Sequence, residues 1–192
     1  MNNIEDILKL APKARPKSYK KGEIIQRAGD FKTSPIYVRQ GLLKSYLIDS
    51  KGKEHIYMFA PENWVIGDLE AIQYQQPSQL FIECLEDSEV ITFEKDCLFN
   101  TELDKEQIAE NAQILYRRIG RLQRRVLMLM GAPAADRYLY FLETYPELPN
   151  RVPQKMIASY LGITPQTLSS IRSDISRKNN LISSPMRMHS KK

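Results

Sequence analysis

Gln154-Lys-Met-Ile-Ala-Ser-Tyr-Leu-Gly-Ile-Thr-Pro-Gln-Thr-Leu-Ser-Ser-Ile-Arg-Ser173 is the stretch that decides the fold. Ile157, Leu161, Ile163, Leu168 and Ile171 are its apolar positions, and small Ala158 stands where two helices must cross closely. Gly162 stands where the backbone must turn sharply, and glycine alone takes a left-handed conformation there without steric cost. Thr164-Pro165 restarts a helix, with threonine as N-cap and proline at the first helical position. Such a pattern predicts a helix-turn-helix, a unit that lays its second helix in the major groove of DNA. The competing reading is a plain helical hairpin. Two helices joined at a glycine are common; Ala158, Gly162 and five apolar positions all in register are much less so, and they favour the DNA-binding unit.

The charge is distributed in the same sense. Residues 151–192 hold eight Lys or Arg (Arg151, Lys155, Arg172, Arg177, Lys178, Arg187, Lys191, Lys192) against a single acid, Asp174, a net of +7. The chain as a whole carries only +5, so the other 150 residues carry −2. Positive charge gathered on a helix-turn-helix is where phosphate contacts would use it, although a solvated basic tail would account for Lys191 and Lys192.

The rest of the composition narrows the class. A chain of 192 residues, 42% hydrophobic, fits one large or two small globular domains. No apolar run reaches membrane-spanning length and no signal-peptide pattern opens the chain, so a cytoplasmic protein with no membrane partner is expected. Cys84 and Cys97 are too few for a disulfide framework or, in one chain, for an iron–sulfur cluster.

Residues 4–8 predict a short helix, and from about Ser18 to Glu94 the sequence reads as β. Short apolar runs recur at Glu23–Gln26, Ile36–Arg39, Leu42–Ile48, His55–Phe59, Leu80–Leu85 and Val90–Phe93, parted by turn signals such as Gly29-Asp30, Gln40-Gly41 and Ser50-Lys-Gly52. Many short strands at close spacing predict a sandwich or jelly roll. In residues 102–130 the period changes. Ile108, Ala112, Leu115, Ile119, Leu122, Val126 and Leu129 alternate spacings of four and three, a heptad seam. The partner such a seam calls for most simply is the same helix in a second copy; the alternative is packing on the chain's own β domain. Arg117, Arg118, Arg121, Arg124 and Arg125 crowd the same helix and are expected mostly to flank the seam in solvent. Gly131-Ala-Pro133 interrupts the helix as a hinge, 134–144 is helical again, and Pro146 and Pro149 end it. The expected fold class is therefore α+β, an N-terminal jelly roll (1–100), a dimerisation helix (101–131) and a winged-helix-like helix-turn-helix domain (132–192).

In this order and at these spacings, residues 18–182 resemble the Crp/Fnr family of bacterial transcription regulators. The marker turns of that family's cyclic-nucleotide-binding β roll are matched by Arg27-Ala-Gly29-Asp30, Val38-Arg-Gln-Gly41, Ser50-Lys-Gly52-Lys-Glu54 and Val65-Ile-Gly67-Asp68-Leu69. Pro77-Ser78 through Val90 resembles the strands after the family's phosphate-binding cassette, and the run from Ile157 to Ser169 is similar to that of short Crp-like regulators of Bacteroidetes-type bacteria. The resemblance implies a homodimer on a palindromic double-stranded DNA operator, admits RNA polymerase as a partner, and places an effector cassette at Gly67, Asp68, Leu69 and Ser78.

The departures are as informative. The resemblance places an Arg that pairs with the cyclic phosphate where this chain has Pro77, and a ribose-holding Glu where it has Asp68. From Pro61 to Glu94 there is no Lys, Arg or His, against eight acids. A phosphate buried without a cation loses a charge-assisted pair and meets repulsion, a deficit of several kcal/mol, so cyclic AMP is not expected to bind in the usual mode. Backbone amides at Gly67–Leu69 remain as anion donors. An effector is therefore unknown or absent. Iron–sulfur members need a cysteine cluster that this chain lacks. His55 shares a strand face with Tyr57 and Phe59 and is expected to be packed or surface-exposed, not a haem ligand; His189 lies in a tail, Cys84 in the core and Cys97 in a connection.

No catalytic residues, metal ligands or cofactor are expected: the sequence has no nucleophile elbow, zincin, Walker A or dinucleotide fingerprint. A cupin-like enzyme would need a His/Glu metal cluster that this β segment lacks. On the second helix, Leu168, Ile171 and Ile175 face the core by phase, leaving Gln166, Ser169, Ser170, Ser173 and Arg177 outward. Thr164 and Arg172 suit phosphates and Gln166 suits adenine. The resemblance places a guanine-reading Arg where Ser170 stands, which leaves open a reading as a sensor or interaction module whose helix-turn-helix has drifted from specific DNA binding.

Overall fold

The structure, a computed structural model, describes residues 15–93 and 105–183, without the side chains of residues 107, 110, 111, 114, 115 and 178–183. The helix expected at 4–8, Cys97 and His189 lie outside the described residues, as does the side chain of Leu115.

Among the described residues eight strands come first: β1 (Lys17–Tyr19), β2 (Ile24–Gln26), β3 (Ile36–Gln40), β4 (Leu43–Ile48), β5 (Glu54–Ala60), β6 (Val65–Ile66), β7 (Phe81–Cys84) and β8 (Ser88–Thr92). They form two antiparallel four-stranded sheets, in the orders β1-β8-β3-β6 and β2-β7-β4-β5, a jelly-roll-like arrangement. Alternate residues of the two sheets meet in one core of Ile36, Val38, Leu43, Ala60, Ile66, Ile82, Cys84 and Val90, flanked by Tyr19, Ile25, Met58 and Trp64. The period-2 pattern builds this because successive side chains point to opposite faces of a strand. Gly41 joins β3 to β4 at φ +96°, where a Cβ would stand 2.8 Å from the Asp87 carbonyl oxygen and the Ser88 Cα, so only glycine fits.

Two elements of the roll depart from the all-β expectation. β6 is only two residues long, and the segment after it turns into a helix, α1 (Leu69–Tyr74). Asp68 caps its N-terminus, accepting from the Ala71 N–H at 3.1 Å, and Gln75 ends it in the left-handed region. The expected common face of His55, Tyr57 and Phe59 is also broken. The β4–β5 register slips between Ser45 and Tyr46, passing from Met58 to Ile56 and stepping over Tyr57. This bulge leaves Tyr57 exposed while Phe59 is fully buried. His55 is half-buried and paired to Asp49 at 2.7 Å.

Five helices follow among the described residues: α2 (Lys105–Gly131), α3 (Ala134–Thr144), α4 (Leu148–Arg151), α5 (Gln154–Leu161) and α6 (Pro165–Ser183). The interruption at Gly131–Pro133 is where it was expected. The single turn α4 was not; Pro149 is tolerated there because the first helical turn has no N–H bond to lose. No strand lies among the described residues after Thr92, so no wing is seen there. The chain divides into two compact units after Gln123, inside α2. Among the described residues, no helix is long and apolar enough to cross a membrane, and no three His, Cys, Asp or Glu are grouped to hold a metal.

Candidate nucleic-acid interface and effector cassette

α5 and α6 form the helix-turn-helix. α5 ends at Gly162, with φ 66° and ψ 34°. The Gly162 N–H donates to the Ser159 carbonyl at 3.1 Å and the Ile163 N–H to the Ala158 carbonyl at 3.0 Å, so the left-handed residue satisfies carbonyls the helix leaves open. The Thr167 N–H then donates to Thr164 Oγ1 at 3.1 Å, the N-cap that precedes Pro165. Ile157, Ala158, Leu161 and Leu168 are buried where the two helices cross, Ile157 and Leu168 completely. The aromatic cluster of Phe141, Tyr145 and Tyr160, with ring centres 5.6–5.7 Å apart, packs beside them, and burial pushes the Tyr160 phenol pKa up.

Each residue expected to face DNA has a definite place. Gln166, Ser169, Ser170, Ser173 and Arg177 are exposed along α6, and Arg172 is half-buried at its flank. Their local bonds limit what they offer. The Ser170 hydroxyl donates to the Gln166 carbonyl at 3.2 Å, and Arg177 lies 3.8 Å from Asp174 in an exposed pair. Thr164 Oγ1 already serves the cap and lies 2.9 Å from Thr167 Oγ1.

Two residues that sequence reasoning did not connect to this unit support it. Arg125 donates to the Tyr160 carbonyl at 3.2 Å, and Arg137 to the Leu161 carbonyl at 2.9 Å. Both carbonyls end α5, where cations are favoured by the helix dipole. Of the five arginines expected mostly to stay in solvent, Arg124 is exposed yet lies over the Tyr140 ring at 4.6 Å, and Arg125 is half-buried over the Tyr160 ring at 3.8 Å. No local motif signals these contacts, because the partners are 16 and 35 residues away. Arg121 is exposed, 6.0 Å from the centre of the Trp64 ring.

On α2 the seam is uncovered. Ile108, Ile119, Leu122, Val126 and Leu129 are 41–52% exposed, and Ala112 is exposed as well. Tyr116, Leu127 and Met130 widen the apolar stripe.

In the roll, Asp68 and Ser78 are brought together and buried. Asp68 Oδ2 accepts from the Ser78 hydroxyl at 3.0 Å and from the Gln79 N–H at 2.9 Å, while its Oδ1 caps α1. Ser78 Oγ accepts from Gln26 Nε2 at 2.8 Å and from the Leu80 N–H at 3.0 Å. The Gly29–Asp30 turn closes on the same point: the Gly29 N–H donates to the Ser78 carbonyl at 2.8 Å, and the Ser78 N–H to the Asp30 carbonyl at 2.9 Å. Gly67 is half-buried, with room for a Cβ only 3.2 Å from Ile72, and Leu69 is exposed beside them. Gln26, which completes this network, was missed because its partner is 52 positions away.

Residues 16–101 match the cyclic nucleotide-binding domain family. The anaerobic regulatory protein of Haemophilus influenzae is 26% identical over 167 residues, covering 81% of this chain, which spans 64% of that relative's length. Among solved structures, FixK2 from Bradyrhizobium japonicum superposes with a TM-score of 0.71 at 20% identity, covering 86% of each chain. A transcriptional regulator of the CRP/FNR family from Thermus thermophilus gives 0.57 at 18% identity, covering 85% of this chain and 87% of its own. Residues 16–101 thus match the cyclic nucleotide-binding domain, and the chain shares the fold of these regulators, a β roll followed by a helix-turn-helix.

Proposed function

We propose that the chain is a homodimeric, sequence-specific DNA-binding transcription regulator of the cytoplasm whose effector cassette no longer answers cyclic AMP in the family's usual way. The observation that carries the reading is the helix-turn-helix turning at Gly162, with Gln166, Ser169, Ser170, Ser173 and Arg177 left exposed on α6. The +7 charge of residues 151–192 supports it, because phosphates supply most of the affinity of such units. In a dimer held by the α2 seam, each α6 enters one major groove, and the half-sites lie one helical turn, about 34–36 Å, apart. Thr164 and Arg172 lie beside the phosphates, while Gln166 and the serines face base edges. Cyclic AMP independence is supported by the Asp68–Ser78–Gln26 network, which uses the polar atoms a nucleotide would need, and by the absence of a cation from Pro61 to Glu94.

Selection from randomised duplexes by gel shift tests the proposal. Enrichment of a palindrome supports it. One observation favours a second reading: the Ser170 hydroxyl is bonded within α6, and the arginine between Ser169 and Ser173, Arg172, is half-buried. A sensor or interaction module with a drifted helix-turn-helix would enrich nothing and would lose weak binding uniformly as salt rises.

A further inference from the structure

Gln166 and Ser170 stand four positions apart on α6, about one turn, and both are exposed on the same face. The Ser170 hydroxyl lies 3.2 Å from the Gln166 carbonyl. A carbonyl oxygen only accepts, so the hydroxyl proton is committed to the backbone and Ser170 turns its lone pairs outward. The Gln166 side chain differs, because its amide carries donor and acceptor side by side. The two residues therefore offer distinct patterns, spaced about 6 Å along the helix axis, which is about two base steps.

In the major groove these patterns discriminate between bases. An amide matches the N6 amino group and N7 of adenine together. A bare acceptor matches the amino group of adenine or cytosine; opposite guanine O6 or thymine O4 it meets another acceptor, and both stay unpaired. Guanine is met best by a fork of donors. The arginine nearest Ser170, Arg172, is half-buried at the flank of α6. Arg177 stands about two turns beyond Ser170, 3.8 Å from Asp174.

We propose that Ser170 is a specificity-determining residue: it selects an amino base, adenine or cytosine, over guanine or thymine on the strand it faces. Gln166 selects adenine about two base pairs away. This selection rests on α6 being the DNA-reading helix and says which bases that helix reads.

The test is selection from randomised duplexes, followed by affinity on the recovered site, with the full-length protein and its Ser170→Ala and Gln166→Ala variants. Both side chains are exposed and alanine favours a helix, so both variants should keep the parent's circular dichroism. Gln166→Ala should relax one adenine in the site. Ser170→Ala should relax a neighbouring position that holds adenine or cytosine for the parent protein. At that position, a base analogue lacking the amino group should weaken the parent about five-fold, the net contribution of one hydrogen bond. The same analogue should leave the affinity of Ser170→Ala unchanged. Guanine or thymine at the position that Ser170→Ala relaxes would overturn the proposal. So would an enriched palindrome whose preferences Ser170→Ala leaves intact. If the parent protein enriches no palindrome, the DNA-reading assignment falls and the proposal falls with it, an outcome distinct from the other two.

Discussion

The Ser78 hydroxyl and the Asp68 carboxylate, ten residues apart, lie 3.0 Å from each other in the β roll. Both were candidates to hold an effector, and the structure has them hold each other. Asp68 also caps α1, so one carboxylate fixes the start of a helix and the strand that follows it. Removing the hydroxyl should take one hydrogen bond from Gln26 Nε2, which keeps the Leu80 carbonyl, and one from Asp68 Oδ2, which keeps the Gln79 N–H. Ser78→Ala should therefore lower stability by about 1–3 kcal/mol, these two hydrogen bonds lost at about 0.5–1.5 kcal/mol each, measured by urea unfolding. An unchanged midpoint at unchanged slope would mean that the network does not hold the cassette.

The same network predicts the response to cyclic AMP. With no cation between Pro61 and Glu94, and with Asp68 and Ser78 already bonded, calorimetry should find no phosphate-dependent binding at micromolar nucleotide. Micromolar binding that requires the cyclic phosphate would contradict this directly.

How much of this was legible in the sequence depended on the distance between partners. Gly162 and Thr164-Pro165 were readable because their roles are local: one needs a left-handed backbone, the other caps the turn it begins. The strands were readable from alternation, though with blurred ends. Helix α1 was not, because the capping Asp68 is held by Ser78, whose contribution no short window contains. The bulge at Tyr57 was not, because it is a property of the β4–β5 pairing and not of β5 alone. The caps from Arg125 and Arg137 come from outside α5, so those arginines looked like ordinary surface charge.

The seam on α2 makes a separate prediction. Ile119 and Leu122, at 52% and 43% exposure, have little packing to lose within one chain. Ile119→Glu with Leu122→Glu should turn a dimer into a monomer in sedimentation equilibrium and leave helical circular dichroism unchanged, because charge at a and d positions is buried only in the pair. A monomeric parent protein, or a double variant that stays dimeric, would contradict the assignment of the seam.

Stability should fall on the alkaline side. Burial pushes the Cys84 thiol up to about 11 from 9.0. Burial, aided by the Glu83 and Glu54 carboxylates, pushes the Tyr46 phenol up to about 12 from 10.0. Both groups stay protonated longer when folded, so their contribution is fully present below pH 9 and is lost as pH rises from 9 to 12. The urea midpoint should decline across that window. Tyr46→Phe should flatten its upper part and Cys84→Ala its lower part; a decline identical in both variants would assign the effect elsewhere.

The central claim is that α6 reads sequence for a dimer. Fluorescence anisotropy on a symmetric duplex recovered by selection, and on a scrambled duplex of equal length, across a salt series tests it most directly. A gap of about 10³-fold or more that persists as salt rises is expected, since base contacts do not release counterions. Equal affinities for the two duplexes, falling in parallel with salt, would contradict it.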